Sequence, residues 1–261
     1  MKLEILEKKK DRMSFLLTGV TPAFANTLRR VIKDEVPAMA IEDVEFRKNS
    51  SILYDEIIAH RLGLVPLKTD LETYTLPEEC TCKGEGCAKC QVTGSLKAKG
   101  PGIVYASELK FKDPAIKPVY PKMPIAKLLK GQELEVEVTA VLGKGKEHSK
   151  WSPAHVWYKY KPYIEIVKNP ENAEEVVKIC PKDVFEIKNK KLAIKNLDEC
   201  HLCGACVDIT NGEIKLNEKD TDFIFYIESF GQLDCSEIMK VAVDIVEKQL
   251  DEFGNLLNKP A

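Results

Sequence analysis

The sequence predicts an α+β protein. Three observations carry this: apolar stripes at helical spacing recur near both ends of the chain, period-two apolar alternation marks several segments between them, and eight of the nine cysteines fall into two sets.

Residues 3–7 and 14–19, LEILE and SFLLTG, read as short strands. Thr21 can cap a helix that has Pro22 at its first position. Phe24, Leu28, Val31 and Ile32 recur at i, i+4, i+7 and i+8, and Pro37 ends the pattern. Arg29 and Arg30 fall at the helix centre, as a solvated flank or as an anchor onto another chain. MAIEDVEF (39–46) alternates as a strand. ILYDEIIAHRLGLVPL (52–67) reads as a strand end and a helix closed by Gly63 and Pro66. Residues 80–100, rich in Cys, Gly and Lys, read as irregular.

Strands are predicted at 103–111 and 133–142, the second with Leu134, Val136 and Val138 on one face, and again at 156–167. KNPENAEE (168–175) is a polar hinge, followed by a small cysteine-containing unit to about residue 214. DFIFYIESFG (222–231) is a strand of aromatic and β-branched residues. A helix over 235–258 closes the chain, with Ile238, Val241, Ala242, Ile245, Leu250, Phe253 and Leu257 on a broad apolar face.

The 261 residues can bury a substantial core, and 44% apolar with 31% charged residues fits a globular protein. A net charge of −2 provides no general attraction to nucleic acid or to an acidic membrane surface. No stretch approaches the about 18 apolar residues of a membrane span, and the first residues lack an apolar signal core, so a cytosolic protein is expected. In that setting nine cysteines point to metal ligands before disulfides.

Cys80, Cys82, Cys87 and Cys90 form a C-x-C-x4-C-x2-C set within CTCKGEGCAKC. Four soft thiolates on a Gly-bearing loop can close a tetrahedron around zinc, a filled and therefore structural site. The alternatives are two disulfides or a loop without its metal.

Cys200, Cys203 and Cys206 form C-x2-C-x2-C, the run that holds three corners of an iron–sulfur cube. Where a bacterial ferredoxin run would continue with Cys-Pro stands Thr210. A Cys-Pro does occur upstream, Cys180–Pro181; counting back from it by the same spacing reaches Val176, Ala173 and Pro170. Because the Cys-Pro ending one run ligates the cluster of the other, Cys180 completes the set of Cys200, Cys203 and Cys206, and the second site has lost its thiols. The reading is one [4Fe-4S] cluster, with a three-iron cluster on Cys200, Cys203 and Cys206 as the near alternative, and a vestigial fold without a cluster as the third.

His201 reads as a surface residue, His60, His148 and His155 as structural, and Cys235 as solitary and buried. No nicotinamide fingerprint, P-loop, zincin or nucleophile-elbow motif is present, and no catalytic residue is assigned.

The stretch FLLTGVTPAFANTLRRVIKDEVPAMAIEDVEF (15–46) resembles the assembly motif of the alpha-like subunits of multi-subunit RNA polymerases. HRLGLVPL (60–67) and KEHSKWSPAHVWYKY (146–160) are similar to later stretches of that family, in the same order. CTCKGEGCAKC sits where many archaeal and eukaryotic members carry a zinc loop, and an embedded ferredoxin-like unit is a feature of many archaeal D subunits.

The resemblance implies a discontinuous alpha-like dimerisation domain (1–45, 156–167 and 215–261), with an inserted mainly-β domain (46–155) that includes the zinc-type loop 80–90, and an inserted ferredoxin-like domain (168–214). It implies a non-catalytic assembly subunit of a DNA-dependent RNA polymerase. The partner would be the small subunit L, with other small subunits and the second-largest subunit docking on the pair. It places Phe24, Leu28, Val31, Ile32, Ile238, Val241, Ala242, Ile245, Leu250 and Phe253 at the interface, with Arg29 and Arg30 among further contacts. The rival from another class is an iron–sulfur electron-transfer subunit of an oxidoreductase.

Overall fold

The computed structural model describes residues 1–257. Strands β1 (Lys2–Lys8) and β2 (Arg12–Thr18) open the chain. The Thr21 hydroxyl accepts the Phe24 N–H at 3.2 Å, which satisfies one of the first free amides of helix α1 (Pro22–Asp34). Strand β3 (Ala38–Asn49) begins directly after Pro37, and helix α2 (Asp55–Gly63) carries Asp55 and Glu56 in its first turn, where the helix dipole favours negative charge.

Next come β4 (Gln91–Lys99), β5 (Gly102–Tyr105), β6 (Lys110–Phe111), β7 (Pro124–Leu128), β8 (Glu133–Gly143) and β9 (Ala154–Ile166). The cysteine-containing segment holds α3 (Ala173–Ile179), β10 (Phe185–Lys188), β11 (Lys191–Ile194) and α4 (Ala205–Asp208). Strand β12 (Ile214–Ser229) and helix α5 (Cys235–Leu257) follow. The residues of the expected closing segment beyond Leu257, 258–261, lie outside the described residues.

Three expectations are corrected. Residues 91–99 are not irregular but a strand, because Val92, Gly94, Leu96 and Ala98 alternate inward against β8. The strand expected at 103–111 is broken by a 3-10 turn at Ala106–Glu108, where the Glu108 carboxylate accepts the Tyr105 N–H at 3.0 Å and competes with the ladder. Strand β12 starts at Ile214, well before residue 222.

The chain divides into two compact units. One comprises Met1–Lys8, Ser14–Thr27 and Trp157–Tyr226; the other comprises Lys9–Met13, Leu28–Val156 and the chain from Ile227 onward. Together they make a mixed α/β fold with several antiparallel sheets. No helix among the described residues is long and apolar enough to cross a membrane.

The second unit is built on the sheet β3-β8-β4-β6. Leu96, Leu134, Val136 and Val138 of its buried face belong to one hydrophobic core cluster with Ile58 and Leu62 of α2. Gly94 is required where β6 comes closest: a Cβ there would stand 2.8 Å from the Phe111 ring and 3.0 Å from the Lys110 carbonyl. Opposite charges ladder across its exposed face. Glu133 pairs with Lys48 at 3.5 Å and Lys99 at 2.9 Å, Glu135 with Lys97 at 3.0 Å, and Arg47 with Glu45 at 2.8 Å and Glu137 at 3.4 Å.

The first unit carries a sheet ordered β1-β2-β12-β9. Phe15 of β2 stacks on Phe225 of β12, with ring centroids 5.1 Å apart, and Phe223 meets the edge of Tyr158 at 5.4 Å. Phe15, Phe223 and Phe225 are fully buried. Beside them Asp222 is buried too. Its carboxylate accepts the hydroxyls of Tyr163 and Thr221 and, at 3.4 Å, the Gly19 N–H.

The Tyr163 hydroxyl, first among these donors, holds the Asp222 carboxyl below its ordinary value. A depressed folded-state value means that Asp222 stabilises the fold in full above the ordinary carboxylate range and that this contribution is lost as pH falls through the lowered value. Replacing Asp222 by Ala strands these donors and is expected to destabilise the chain by about 1–3 kcal/mol at pH 7. The gap between variant and wild type should narrow in denaturation curves taken below about pH 4.

Candidate metal centres

The first cysteine set lies on a tight double turn between Leu76 and β4. A 3-10 turn at Pro77–Glu79 delivers Cys80, and the Lys83 N–H returns to the Cys80 carbonyl at 2.9 Å. The Cys90 and Gln91 N–H groups both return to the Cys87 carbonyl at 3.0 Å. Gly84 and Gly86 take φ values of +84° and +91°, which a chain reversing this sharply requires.

The four sulfurs thereby converge. Cys80 Sγ is 3.5 Å from Cys87 Sγ and from Cys82 Sγ, Cys82 Sγ is 3.5 Å from Cys90 Sγ, and Cys87 to Cys90 is 3.9 Å. A tetrahedral ion with metal–sulfur bonds of about 2.3 Å needs sulfurs roughly 3.8 Å apart, whereas a disulfide needs about 2.05 Å. The set therefore fits one tetrahedral metal ion and not two disulfides. All four ligand atoms lie within 4.8 Å of one another, the sole such group of three or more potential ligands among the described residues.

The electrostatics differ around the ring. The Cys82 N–H pulls the Cys80 thiol down to about 6, so a thiolate is available near neutral pH. Burial pushes the Cys90 thiol up to about 12, so a metal must displace its proton.

The second set is spaced differently. Cys180 follows α3, Cys200 follows a 3-10 turn at Leu197–Glu199, and Cys206 sits in α4, which Gly204 opens at φ +80°. These three and Cys203 line one cavity, with Phe185 and Leu216 as apolar walls and Lys182 at its side. No three of these sulfurs are drawn into the single-ion separation of the first set. Four thiols lining one cavity are a soft donor set that could hold a metal group. Cys200 and Cys206 are buried and Cys203 is exposed, which gives the cavity a wet rim. Burial, above all, raises the Cys200 and Cys206 thiols.

The positions where a second ligand run would stand are filled with core. Pro170, Ala173, Val176 and Thr210 are all buried. Ala173 and Val176 join Val184, Phe185, Leu192 and Ile214 in one apolar cluster, and the Thr210 hydroxyl donates to the Cys206 carbonyl at 2.7 Å.

Strand β9 contributes a residue that the sequence did not single out. The ammonium of Lys159 donates to the carbonyls of Asp198 and, at 3.0 Å, Cys200. Lys159 is one of two lysines alternating with tyrosines in β9, and nothing in that pattern signals such a contact.

The expected interface residues divide by burial. Leu28, Val31, Ile32, Ile238 and Ala242 are covered by the chain's own atoms. Arg29, Val241 and Ile245 are half-buried, and Arg30 is exposed with an ion pair to Asp34 at 4.0 Å. Phe24, Leu250, Phe253 and Leu257 are exposed, as are Val243 and Leu256, which the sequence reading did not single out. Among the remaining residues, His148 Nδ1 accepts the Lys150 N–H at 3.1 Å, His201 is exposed, and Cys235 is buried with its thiol 3.7 Å from the Ile227 carbonyl.

Antiparallel sheets, four converging cysteines that could hold a metal ion and a second cysteine-lined cavity define a mixed α/β frame, and the comparisons give that frame a family. Residues 42–155 match the RNA polymerase Rpb3/RpoA insert domain. The chain is 39% identical to DNA-directed RNA polymerase subunit Rpo3 of Methanosphaera stadtmanae, over 99% of each chain. It is 38% identical to Rpo3 of Archaeoglobus fulgidus over 98% of each, and 38% identical to Rpo3 of Pyrococcus horikoshii over 100% of this chain and 99% of that one. The chain belongs to the Rpo3 family of archaeal DNA-directed RNA polymerases, the D subunits. The electron-transfer reading is not favoured by these relatives.

Replacing Cys90 by Ser should abolish retention of one equivalent of thiophilic metal per chain and expose residues 77–91 to limited proteolysis. The sheet β3-β8-β4, with its own core, should keep its secondary structure by circular dichroism. Metal analysis beside a proteolysis time course tests both halves.

Proposed function

We propose that the chain is a non-catalytic assembly subunit of an archaeal RNA polymerase, pairing with the small subunit L and presenting, as a pair, a platform for the second-largest and other small subunits. The observation that carries this reading is the second half of α5. Leu250 is 65% and Phe253 60% exposed, and Leu256 and Leu257 are exposed beside them. So much apolar surface on a single helix is a surface that another chain covers. Interfaces of obligate pairs are large and apolar, resembling a core cut in two. Phe24 on α1, Val241 and Ile245 would be further interface residues, whereas Leu28, Val31, Ile32, Ile238 and Ala242 are covered within the chain itself. Arg29 and Arg30 would serve the further subunits.

The match over 42–155 supports taking 46–155 as an inserted domain, with 1–45, 156–167 and 215–261 as the dimerisation domain and 168–214 as a ferredoxin-like insertion. Cys80, Cys82, Cys87 and Cys90 would hold a structural zinc, supported by their sulfur separations. Cys180, Cys200, Cys203 and Cys206 would hold one [4Fe-4S] cluster, which would add to the small apolar core of this segment.

Co-expression with subunit L tests the reading. The double variant Leu250→Glu, Phe253→Glu should weaken pairing by at least about 100-fold, as expected when two anchors of an interface are lost. Both side chains are exposed in the chain alone, so its own melting temperature should hardly move. Undiminished pairing by the variant would overturn the proposed interface.

A further inference from the structure

Lys159 stands on strand β9, yet its ammonium binds the short turn that delivers Cys200. Two carbonyls of that turn, those of Asp198 and Cys200, are its acceptors. The same ammonium lies 5.7 Å from the centre of the Tyr226 ring on β12. Tyr226 in turn stacks on Trp157 of β9, with centroids 5.2 Å apart and planes 11° from parallel. A cation, a ligand-bearing turn and a stacked aromatic pair are thus in consecutive contact.

We propose that Lys159 is a positioning residue for the metal cluster: it fixes the turn bearing Cys200 to the four-stranded sheet and makes the presence of the cluster felt at the Tyr226–Trp157 pair. The inference rests on reading Cys180, Cys200, Cys203 and Cys206 as cluster ligands. Without Lys159 the Asp198 and Cys200 carbonyls lose their anchor, the Cys200 thiolate is free to swing, and the cluster loses one fixed corner. Groups that orient metal ligands typically change metal retention by about 10–100-fold when removed. A cation beside a cluster also favours its reduced, more negative state, so Lys159 raises the midpoint potential.

The experiment uses the full chain, loaded anaerobically with iron and sulfide and labelled with 5-fluorotryptophan. Trp151 and Trp157 are its two tryptophans, and Trp157→Phe assigns their fluorine resonances. In Lys159→Met, which keeps the apolar stem, the visible absorption of the cluster should bleach about 10–100-fold faster under a chelator. Its midpoint potential should fall, and the Trp157 resonance should no longer differ between loaded and stripped protein. Lys159→Arg, which restores a cation with several donors, should recover all three properties. If Lys159→Met bleaches at the wild-type rate and Trp157 still responds to stripping, the inference is overturned while the cluster reading stands. If wild type acquires no cluster absorption, the cluster reading itself fails and takes this inference with it.

Discussion

The stack of Phe15 on Phe225 is the contact on which the first unit depends. It joins β2, near the start of the chain, to β12, near its end. Closing so long a loop costs entropy that grows only slowly with its length, so the sheet can tolerate large insertions between these strands provided the aromatic core is well packed. Phe223 and Tyr158 extend the packing to β9, and Asp222 with Tyr163 adds a polar clasp at the same level. The strand that carries Lys159 toward the cysteine cavity is therefore held by this core.

The two cysteine sets show how spacing along the chain becomes spacing in space. In the first, two turns fold back onto the carbonyls of Cys80 and Cys87, and eleven residues bring four sulfurs to van der Waals contact. In the second, three thiols come from one turn and a short helix and the fourth from the end of α3, and the four line one small cavity. The residues that fill the lost ligand run, Val176 above all, become part of the core beneath the surviving cavity. One half of the motif thus acts as a packing layer for the other.

Much of this was legible in the sequence. Thr21, Pro22 and Pro37 mark the ends of α1 because capping and proline geometry are local properties. The cysteine sets were legible because ligand spacing is local too. Strand β4 was hidden because Gly94 interrupts its alternation, and the reason for that glycine, the approach of Phe111, is a tertiary contact. The hairpin β10–β11 was hidden because its two-residue turn, Asn189 and Lys190, both at positive φ, lacks the glycine that usually announces one. Helical periodicity put Leu28, Val31 and Ile32 on the same footing as Phe24, but periodicity reports an apolar face without saying whether the chain itself or a neighbour covers it. Lys159 was beyond reach, since its acceptors are carbonyls and carry no residue identity.

The ladder of charges over β3, β8 and β4 bears on where such a sheet is best suited to operate. On warming, water's hold on ions slackens, so the cost of bringing Glu133 between Lys48 and Lys99 declines while the attraction persists. In concentrated brine the same attraction fades, because mobile ions crowd around each partner. The exposed face of this sheet is accordingly a surface whose relative worth rises in hot, dilute surroundings and sinks in cold, salty ones.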